Sequence, residues 1–222
     1  MSKTPVLISI LVLTLLFSSC RKNEVDFEAI DLGYDYFPNM VGSYIIYEID
    51  STYYGIQEQN FNYQIKEVLS EGFMDDAGEP AVRVDRYRRN FNSQPWVLAN
   101  SWVQKRTGTT AERVENNQRY IKLEFPIEEG GTWYANAYNN QQPWVSTYKN
   151  VNRAIDIGLL EFDQSLTVEQ RNVVNLVDQE IFYEVYAKGI GMILKRNTDV
   201  NVQAGVASGY DVRYTAIGFG QE

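Results

Sequence analysis

Alternation of apolar and polar side chains is the feature that most limits what this chain can fold into. Phe61, Tyr63 and Ile65 alternate with polar residues in the stretch FNYQIK, and the stretches at 121–125 and 210–214 have the same pattern. A period of two in aromatic and β-branched residues is typical of strands with one buried face and one face in water. The pattern therefore predicts antiparallel β-strands.

Six further segments have strand character, and residues that favour tight turns separate the candidates. These segments are 44–53, 81–87, 96–103, 133–138, 181–188 and 192–196. The best helix candidate is VEQRNVVNLVDQ (168–179), which fits a strand with a bulge equally well. We predict an all-β domain of roughly eight to eleven antiparallel strands, as a curled sheet that forms a barrel or half-barrel, or alternatively as a β-sandwich.

The first twenty residues have the layout of a secretory signal peptide. Lys3 precedes an uncharged run at 6–17, which is too short to cross a bilayer as a helix, and small residues then precede Cys20, the only cysteine. The segment ending at Cys20 resembles the lipobox of bacterial lipoproteins. The resemblance implies cleavage before Cys20 and attachment of lipid to its sulfur and to the new amino terminus. A secreted protein with a cysteine at the cleavage site, or a free buried thiol, is the alternative.

These features predict three segments. They are a signal peptide at 1–19, the lipidated Cys20 with a tether at 20–33, and a single β domain at 34–222. The lipid would hold the domain at the outer membrane, on either its periplasmic or its surface face. The formal net charge of −9 disfavours nucleic acid as a partner, so the predicted membrane contact is made through the lipid.

Residue types exclude several kinds of chemistry. The chain contains no histidine, which removes serine–histidine nucleophiles and nearly all zinc sites. The stretch at 197–202 begins like a calcium loop but has Val202 in place of the turn glycine, and we predict no metal and no cofactor. Acidic pairs at 75–76 and 128–129 could serve a glycosidase, but their glycine-containing stretches favour solvated turns. We expect no catalytic residue.

Positive charge is concentrated in one segment. Residues 83–122 contain nine basic and three acidic side chains, and pairing with acids on neighbouring strands would account for this excess. The alternative is a basic face for an anionic glycan or lipid. Trp96 and Trp102 share strand parity if their strand is unbroken, and they either line the core or form a stacking platform. The candidate ligand-binding residues are Trp96, Trp102, Arg83, Arg86 and Arg88.

Two longer stretches, DYFPNMVGSYIIYEID (35–50) and IFYEVYAKGIGMILKR (181–196), resemble the ends of uncharacterised lipoproteins that are common in Bacteroidetes. The stretch FPIEEGGTWY (125–134) is similar to the middle of that family. The resemblance implies a sheet curled around a concavity, as in lipocalins or in the half-barrels that carry lipoproteins. Gly189 and Gly191 should interrupt the ladder where the sheet coils or another backbone approaches.

These expectations favour a non-enzymatic, lipid-anchored envelope domain that binds a ligand or a partner protein in or on a curved sheet. The main alternative is a glycan-binding accessory of polysaccharide use, with or without weak hydrolase activity. A purely structural partner in an envelope assembly is the third candidate. Because one fold can serve many functions, the site must decide among them.

Overall fold

The structure is a computed structural model that describes residues 31–222. The predicted signal peptide, Cys20 and tether residues 21–30 lie outside the described residues. The all-β prediction is confirmed, with twelve strands in the described part of the chain. The strands are β1 (Ser43–Tyr54), β2 (Gln59–Met74), β3 (Pro80–Arg89), β4 (Val97–Arg106), β5 (Thr110–Glu115), β6 (Gln118–Glu124), β7 (Thr132–Tyr134), β8 (Val145–Ile157), β9 (Leu160–Val174), β10 (Asp178–Ala187), β11 (Gly191–Gln203) and β12 (Val206–Gln221).

All twelve strands belong to one antiparallel sheet. Its order is β6-β5-β4-β3-β2-β1-β12-β11-β10-β9-β8-β7, so each strand except the two at the edges pairs with two neighbours. The long pairing of β1 with β12 joins the two halves of the chain, and every other pair of neighbouring strands is consecutive in sequence, joined by a hairpin connection that is longest between β7 and β8. Register shifts in seven of these pairings mark bulges, which let a sheet coil. The sheet is nearly closed into a barrel rather than split into a sandwich.

The edge strands β6 and β7 meet along a seam. The Ile121 N–H donates to the Ala135 carbonyl at 2.7 Å, and the indole N–H of Trp133 donates to the Ile121 carbonyl at 3.0 Å. The Tyr148 hydroxyl donates to the Glu124 carbonyl at 2.7 Å and accepts from the Glu124 N–H at 2.8 Å. Side chains therefore satisfy edge groups that no regular ladder satisfies.

A short N-terminal segment, residues 32–39, covers one end of the barrel, and we call it the plug. It contains a 3-10 helix (Tyr34–Tyr36), and the side chains of Tyr36 and Phe37 are buried in the main core. Its hydrogen bonds reach three separate connections of this end: from Ile127 N–H to Leu32 O, from Tyr34 to Gly108 O, and from Gly189 N–H to Asp35 O. The plug thereby ties the β4–β5, β6–β7 and β10–β11 connections together.

The stretches at 35–50 and 181–196, distant in sequence, meet at the plug. Gly191 has a φ of +105°, a conformation that side chains rarely adopt, and a Cβ there would lie 3.7 Å from Pro38 Cδ. The prediction that Gly189 and Gly191 interrupt the ladder is wrong: Gly189 lies in the β10–β11 turn, Gly191 is the first residue of β11 and pairs with Ala187, and the register shift of this pairing lies between Val185 and Tyr186. These residues shape the closed end of the fold.

Three details of the strand prediction change. The segment 168–179 contains no helix: β9 continues to Val174 with a bulge at Gln170, because Arg171 pairs with Phe182 while Glu169 pairs with Tyr183. The count of twelve exceeds the predicted eight to eleven because β5 and β8 were not recognised as strands, whereas the second half of β9 is the bulged strand that the sequence analysis gave as the alternative to a helix. The predicted strand at 133–138 ends at Tyr134, where the chain leaves the sheet for the β7–β8 connection.

Candidate functional site

Seven charged side chains from six strands lie inside the barrel, each at most 18% exposed. They are Glu67 on β2, Arg86 on β3, Arg113 and Glu115 on β5, Lys122 on β6, Glu184 on β10 and Lys195 on β11. Four are basic and three are acidic. Burying a charge is costly unless it is paired, and the pairs divide these residues into two clusters.

The arginine cluster consists of Glu67, Arg86 and Arg113. The two carboxylate oxygens of Glu67 accept from Arg86 Nε at 2.8 Å and from Arg113 Nη1 at 2.9 Å. The guanidinium carbon of Arg86 lies 3.6 Å from the centre of the Trp102 ring. Because a guanidinium is planar and weakly hydrated, it can both fork onto a carboxylate and stack on an indole. Each arginine is therefore fixed in orientation.

Gln104 connects the arginine cluster to the plug. Its side-chain oxygen accepts from Arg113 Nη2 at 2.8 Å, while its amide nitrogen donates to the Pro38 carbonyl at 2.9 Å and to Asn39 Oδ1 at 2.8 Å. A cavity of about 40 Å³ lies between the plug and this cluster. The cluster thus lies at the plug end of the interior, beside the smaller of the two cavities.

The lysine cluster consists of Glu115, Lys122, Glu184 and Lys195. Glu184 accepts from Lys122 Nζ at 2.7 Å and from Lys195 Nζ at 3.0 Å, and Lys122 also contacts Glu115 at 3.2 Å. Tyr186 donates its hydroxyl to Glu184 at 2.7 Å. Since β6 and β10 are not neighbours in the sheet, the Lys122–Glu184 pair spans the barrel interior.

The lysine cluster keeps its ionised state. Burial raises the pKa of a carboxyl group, but the ammonium groups of Lys122 and Lys195 outweigh it and hold the pKa of Glu184 well below its usual range. The same two lysines lower the pKa of Glu115 against the effect of its burial. Burial, followed by the charge of Glu184, raises the pKa of Tyr186, which therefore remains a hydrogen-bond donor.

A cavity of about 270 Å³ lies directly above the lysine cluster, at the end of the barrel opposite to the plug. All four members of the cluster line it. Its wall contains aromatic and amide side chains: Tyr120, Trp144, Phe182 and Tyr210, with Gln141 and Asn197. Gln141, on the β7–β8 connection, is exposed at the rim, and Tyr210 is half-buried. The cavity is therefore lined on one side by the lysine cluster, which we call its floor, and on the other by the aromatic wall, and it can be reached from outside.

Local structure holds the wall of this cavity in place. The Trp144 indole N–H donates to the carbonyl of Gln170, the bulged residue of β9, at 2.6 Å. The Trp144 ring packs edge-on against Phe182, with the ring centres 5.0 Å apart. The backbone N–H of Trp144 also donates to the Asn136 side chain at 2.8 Å. The bulge therefore provides an acceptor that a regular ladder would have used.

The structure separates the two tryptophans that the sequence analysis grouped. Asn100 pairs with Arg86 and Leu98 pairs with Tyr87, so Ala99 is an extra residue in β4. Side chains on either side of it therefore no longer alternate in phase between the two faces of the sheet. Trp96 precedes the strand and lies under the guanidinium of Arg89 at 4.1 Å. Trp102 instead lies beside the arginine cluster in the interior. No common platform results.

The three candidate arginines also occupy different environments. Arg83 is on the outer face and pairs with Glu71 at 2.7 Å. Arg86 is buried in the arginine cluster, and Arg88 is exposed, with its guanidinium carbon 3.9 Å from the Tyr63 ring centre. Arg83 and Arg86 are three residues apart on β3 and therefore lie on opposite sides of the sheet, whereas Arg86 and Arg88 share a side and differ in burial because Arg88 is near the end of the strand.

Ion pairs account for most of the basic segment at 83–122. Six of its nine basic residues pair with acids, as the charge pattern predicts, but three of these six pairs are inside the barrel rather than on its outer face. The outward pairs are Arg83 with Glu71, Lys105 with Asp75, and Arg119 with Glu112; the inward residues are Arg86, Arg113 and Lys122. The segment does not form a uniform basic face.

The acidic candidates take structural roles. Asp75 accepts backbone N–H groups of the β2–β3 turn and pairs with Lys105, and Glu129 accepts the N–H groups of Asn150 and Val151. The stretch at 197–202 is part of β11 rather than a loop. Within residues 31–222, no three potential metal-binding side chains of the histidine, cysteine, aspartate or glutamate type cluster together.

Except for Arg86, the interior charges were missed by the sequence analysis, although the sequence carries a signal for some of them. Two break an alternating apolar run at a core position: Arg86 follows Val82 and Val84, and Glu184 stands between Phe182 and Tyr186. Lys122 gives no such signal, because its alternation with Ile121 and Leu123 predicts that it faces water, and it is instead the extra residue of a bulge in β6. Charged residues are rarely fully buried without a partner. A charged residue at a strand position that should face the core therefore indicates an interior ion pair.

Comparisons with protein-family models, with curated proteins and with solved structures found no match. In residues 31–222, no helix has the length and hydropathy of a bilayer-crossing segment.

Proposed function

We propose that this protein is a non-enzymatic, lipid-anchored binding domain of the cell envelope that holds a small ligand inside its barrel. The observation that carries the proposal is the cavity of about 270 Å³ above the lysine cluster. Concave sites with an apolar or aromatic wall and a few placed polar groups are typical binding sites for small molecules. The volume is near the lower limit for such sites, which favours a ligand of one ring or a short chain.

Two features of the cavity support binding. Its aromatic wall offers flat apolar contact area, and the polar groups of its floor are held by mutual ion pairs before any ligand arrives. Preorganised groups lose little conformational entropy when a ligand binds. The ligand would thus meet a site that is already formed.

The proposed anchor rests on the sequence around Cys20. The described chain begins at Asp31 beside the plug, whereas the cavity opens at the opposite end of the barrel. Partners of the proposed domain are the membrane, through the lipid, and the ligand of the cavity.

The anchor can be tested by metabolic labelling with a radioactive fatty acid in a Gram-negative host. We expect the natural chain to be labelled and Cys20→Ser to be unlabelled but folded. Ser18→Ala, which leaves the cysteine in place, serves as the matched control and should be labelled. Labelling of Cys20→Ser at the level of the natural chain would rule out this anchor, as would an unlabelled natural chain.

The cavity can be tested by thermal unfolding of the folded domain against a library of small metabolites. A ligand present at about 100 times its Kd stabilises the folded state by about 2.7 kcal/mol. We expect Asn197→Trp, which fills the cavity, to abolish the shift, and Asn172→Trp, on the exposed part of β9, to retain it. Equal shifts in both variants, or no shift with any compound, would contradict the proposal.

A surface glycan platform has less support than the cavity. Three of its candidate residues, Trp96, Trp102 and Arg88, lie in three separate environments. A ligand inside the barrel is the function that the geometry supports best.

A further inference from the structure

The charge balance of the cavity floor narrows the class of ligand. The lysine cluster contains two carboxylates and two ammonium groups, which are linked in a chain from Glu115 through Lys122 and Glu184 to Lys195. Its net charge is zero. An anion entering the cavity would gain two lysines but face two carboxylates, and a cation would face the opposite arrangement. The floor thus favours a ligand without net charge.

The same groups retain hydrogen-bonding capacity that the protein does not use. Lys195 has three N–H donors, and within the described part of the chain its ammonium group pairs with Glu184 alone. Lys122 contacts Glu115 through Oε1 alone, and in residues 31–222 neither Glu115 Oε2 nor the side chain of Asn197 has a hydrogen-bond partner. Donors and acceptors are therefore interleaved across the floor. Hydroxyl groups, which both donate and accept, match such a surface.

The aromatic wall adds a second requirement. Trp144 and Phe182 present an edge-to-face pair, and Tyr120 and Tyr210 add rings with hydroxyl groups. Tyr120 accepts from Gln141 at 2.9 Å, which leaves its own hydroxyl hydrogen available. A ligand that matches the cavity needs hydroxyl groups on the side that faces the lysine cluster and C–H groups on the side that faces the aromatic rings. The volume corresponds to the share of about nine water molecules, so it accommodates one ring.

From these observations we infer that the cavity binds a single neutral sugar residue, with hydroxyl groups on the lysine cluster and Asn197 and with a C–H face on the aromatic wall. The inference rests on the proposed function, because it names the ligand class of the same cavity. It differs from a surface glycan platform in its residues and in its limit to one ring.

Isothermal titration calorimetry of the folded domain tests the inference. The probes are neutral hexoses, deoxyhexoses and N-acetylhexosamines, compared with uronic acids, amino sugars and free amino acids. We expect saturable binding of at least one neutral sugar and affinity at least about tenfold weaker for its uronic acid and amino-sugar counterparts. An anionic or zwitterionic probe that binds more tightly than every neutral sugar would overturn the inference.

A matched pair of variants locates the binding. Asn197→Leu keeps the side-chain shape but removes its donors and acceptor, and we expect about tenfold weaker binding of the neutral sugar. Asn172→Leu makes the same change on the exposed part of β9 and should leave the affinity unchanged. Circular dichroism confirms that both variants fold. An equal affinity in the two variants would place the sugar elsewhere and contradict the inference.

The results also separate this inference from the proposed function. If no neutral sugar binds, while an amino acid or a library compound binds and loses affinity in Asn197→Trp, the sugar is wrong and the cavity remains a binding site. If no sugar binds and no compound depends on the cavity, both proposals are wrong.

Discussion

The two charge clusters inside the barrel are built from similar residues but lie in different surroundings. The arginine cluster is packed under the plug beside a cavity of about 40 Å³, whereas the lysine cluster lines a cavity of about 270 Å³ that opens to solvent. Glu67 in the arginine cluster and Glu184 in the lysine cluster have the same role, because each carboxylate accepts from two basic side chains.

The choice of basic residue follows the surroundings. A guanidinium makes several fixed contacts at once, and Arg86 uses its plane for both Glu67 and Trp102. An ammonium group is compact and strongly hydrated, so Lys195 can pair with Glu184 and still contact water or a ligand. The comparison indicates that the arginine cluster stabilises the fold and the lysine cluster forms the site.

The largest effect is expected from Glu67→Gln. It leaves two buried guanidinium groups without a counter-charge, and we expect the free energy of unfolding to fall by about 3–5 kcal/mol. The control, Glu71→Gln, breaks the exposed pair with Arg83 and should cost less than about 1 kcal/mol. Urea unfolding followed by circular dichroism measures both. Similar losses for the two variants would mean that the arginine cluster contributes no more than a surface pair.

Glu184→Gln is expected to cost less than Glu67→Gln, about 2–3 kcal/mol, because solvent in the open cavity can hydrate the two lysines that lose their partner. The same urea experiment gives the comparison. A loss larger than that of Glu67→Gln would contradict the division between a structural cluster and a site cluster.

Acid should destabilise the domain partly through the lysine cluster. The pKa values of Glu184 and Glu115 are lowered in the folded state, so their contribution is present above the unfolded pKa of about 4.3 and is lost as the pH falls below it. Unfolding free energies at decreasing pH should show a slope that Glu184→Gln reduces, by at most about 1.4 kcal/mol per pH unit. An unchanged slope in the variant would show that Glu184 does not take part.

The smallest effect is expected from replacing arginine by lysine beside an aromatic ring. Arg86→Lys loses the stacking on Trp102 and should cost about 1–2 kcal/mol, because this stack is shielded from water. Arg88→Lys makes the same change over Tyr63 on an exposed side chain and should cost less than about 1 kcal/mol. Thermal unfolding of the two variants under the same conditions gives the difference. Equal losses of stability in the two variants would contradict the stabilising role that we assign to the stacked guanidinium group of Arg86.

Most of the fold could be predicted from local patterns. The alternation in FNYQIK, IKLEF and the stretch at 210–214 falls within β2, β6 and β12, with only Phe125 just beyond the end of β6, and the turn-forming stretches at 75–80 and 115–118 separate paired strands. Strand β8 was missed because Asn150 and Asn152 take positive φ values, which interrupt its alternation. Local patterns are informative because a half-buried strand requires period two wherever it occurs.

The candidate site was harder to predict because bulges change which side chains share a face. The extra residue Ala99 separates Trp96 from Trp102, and the bulge in β9 turns the carbonyl of Gln170 toward Trp144. A shift of one residue moves every later side chain to the other side of the sheet. Of the five candidate residues, the structure therefore brings together only Arg86 and Trp102, whereas Trp96, Arg83 and Arg88 lie elsewhere.

The sequence by itself determined most of the strands, most of their turns and some of the positions at which a charge stands in a core register, such as Arg86 and Glu184, whereas Lys122 turns inward at a bulge in β6. Whether those charges meet was decided only by the closure of the sheet, which brings Lys122 on β6 opposite Glu184 on β10. Alternation is a property of neighbours along the chain, whereas the pairing of interior charges depends on strands that are far apart in sequence and share one enclosed space.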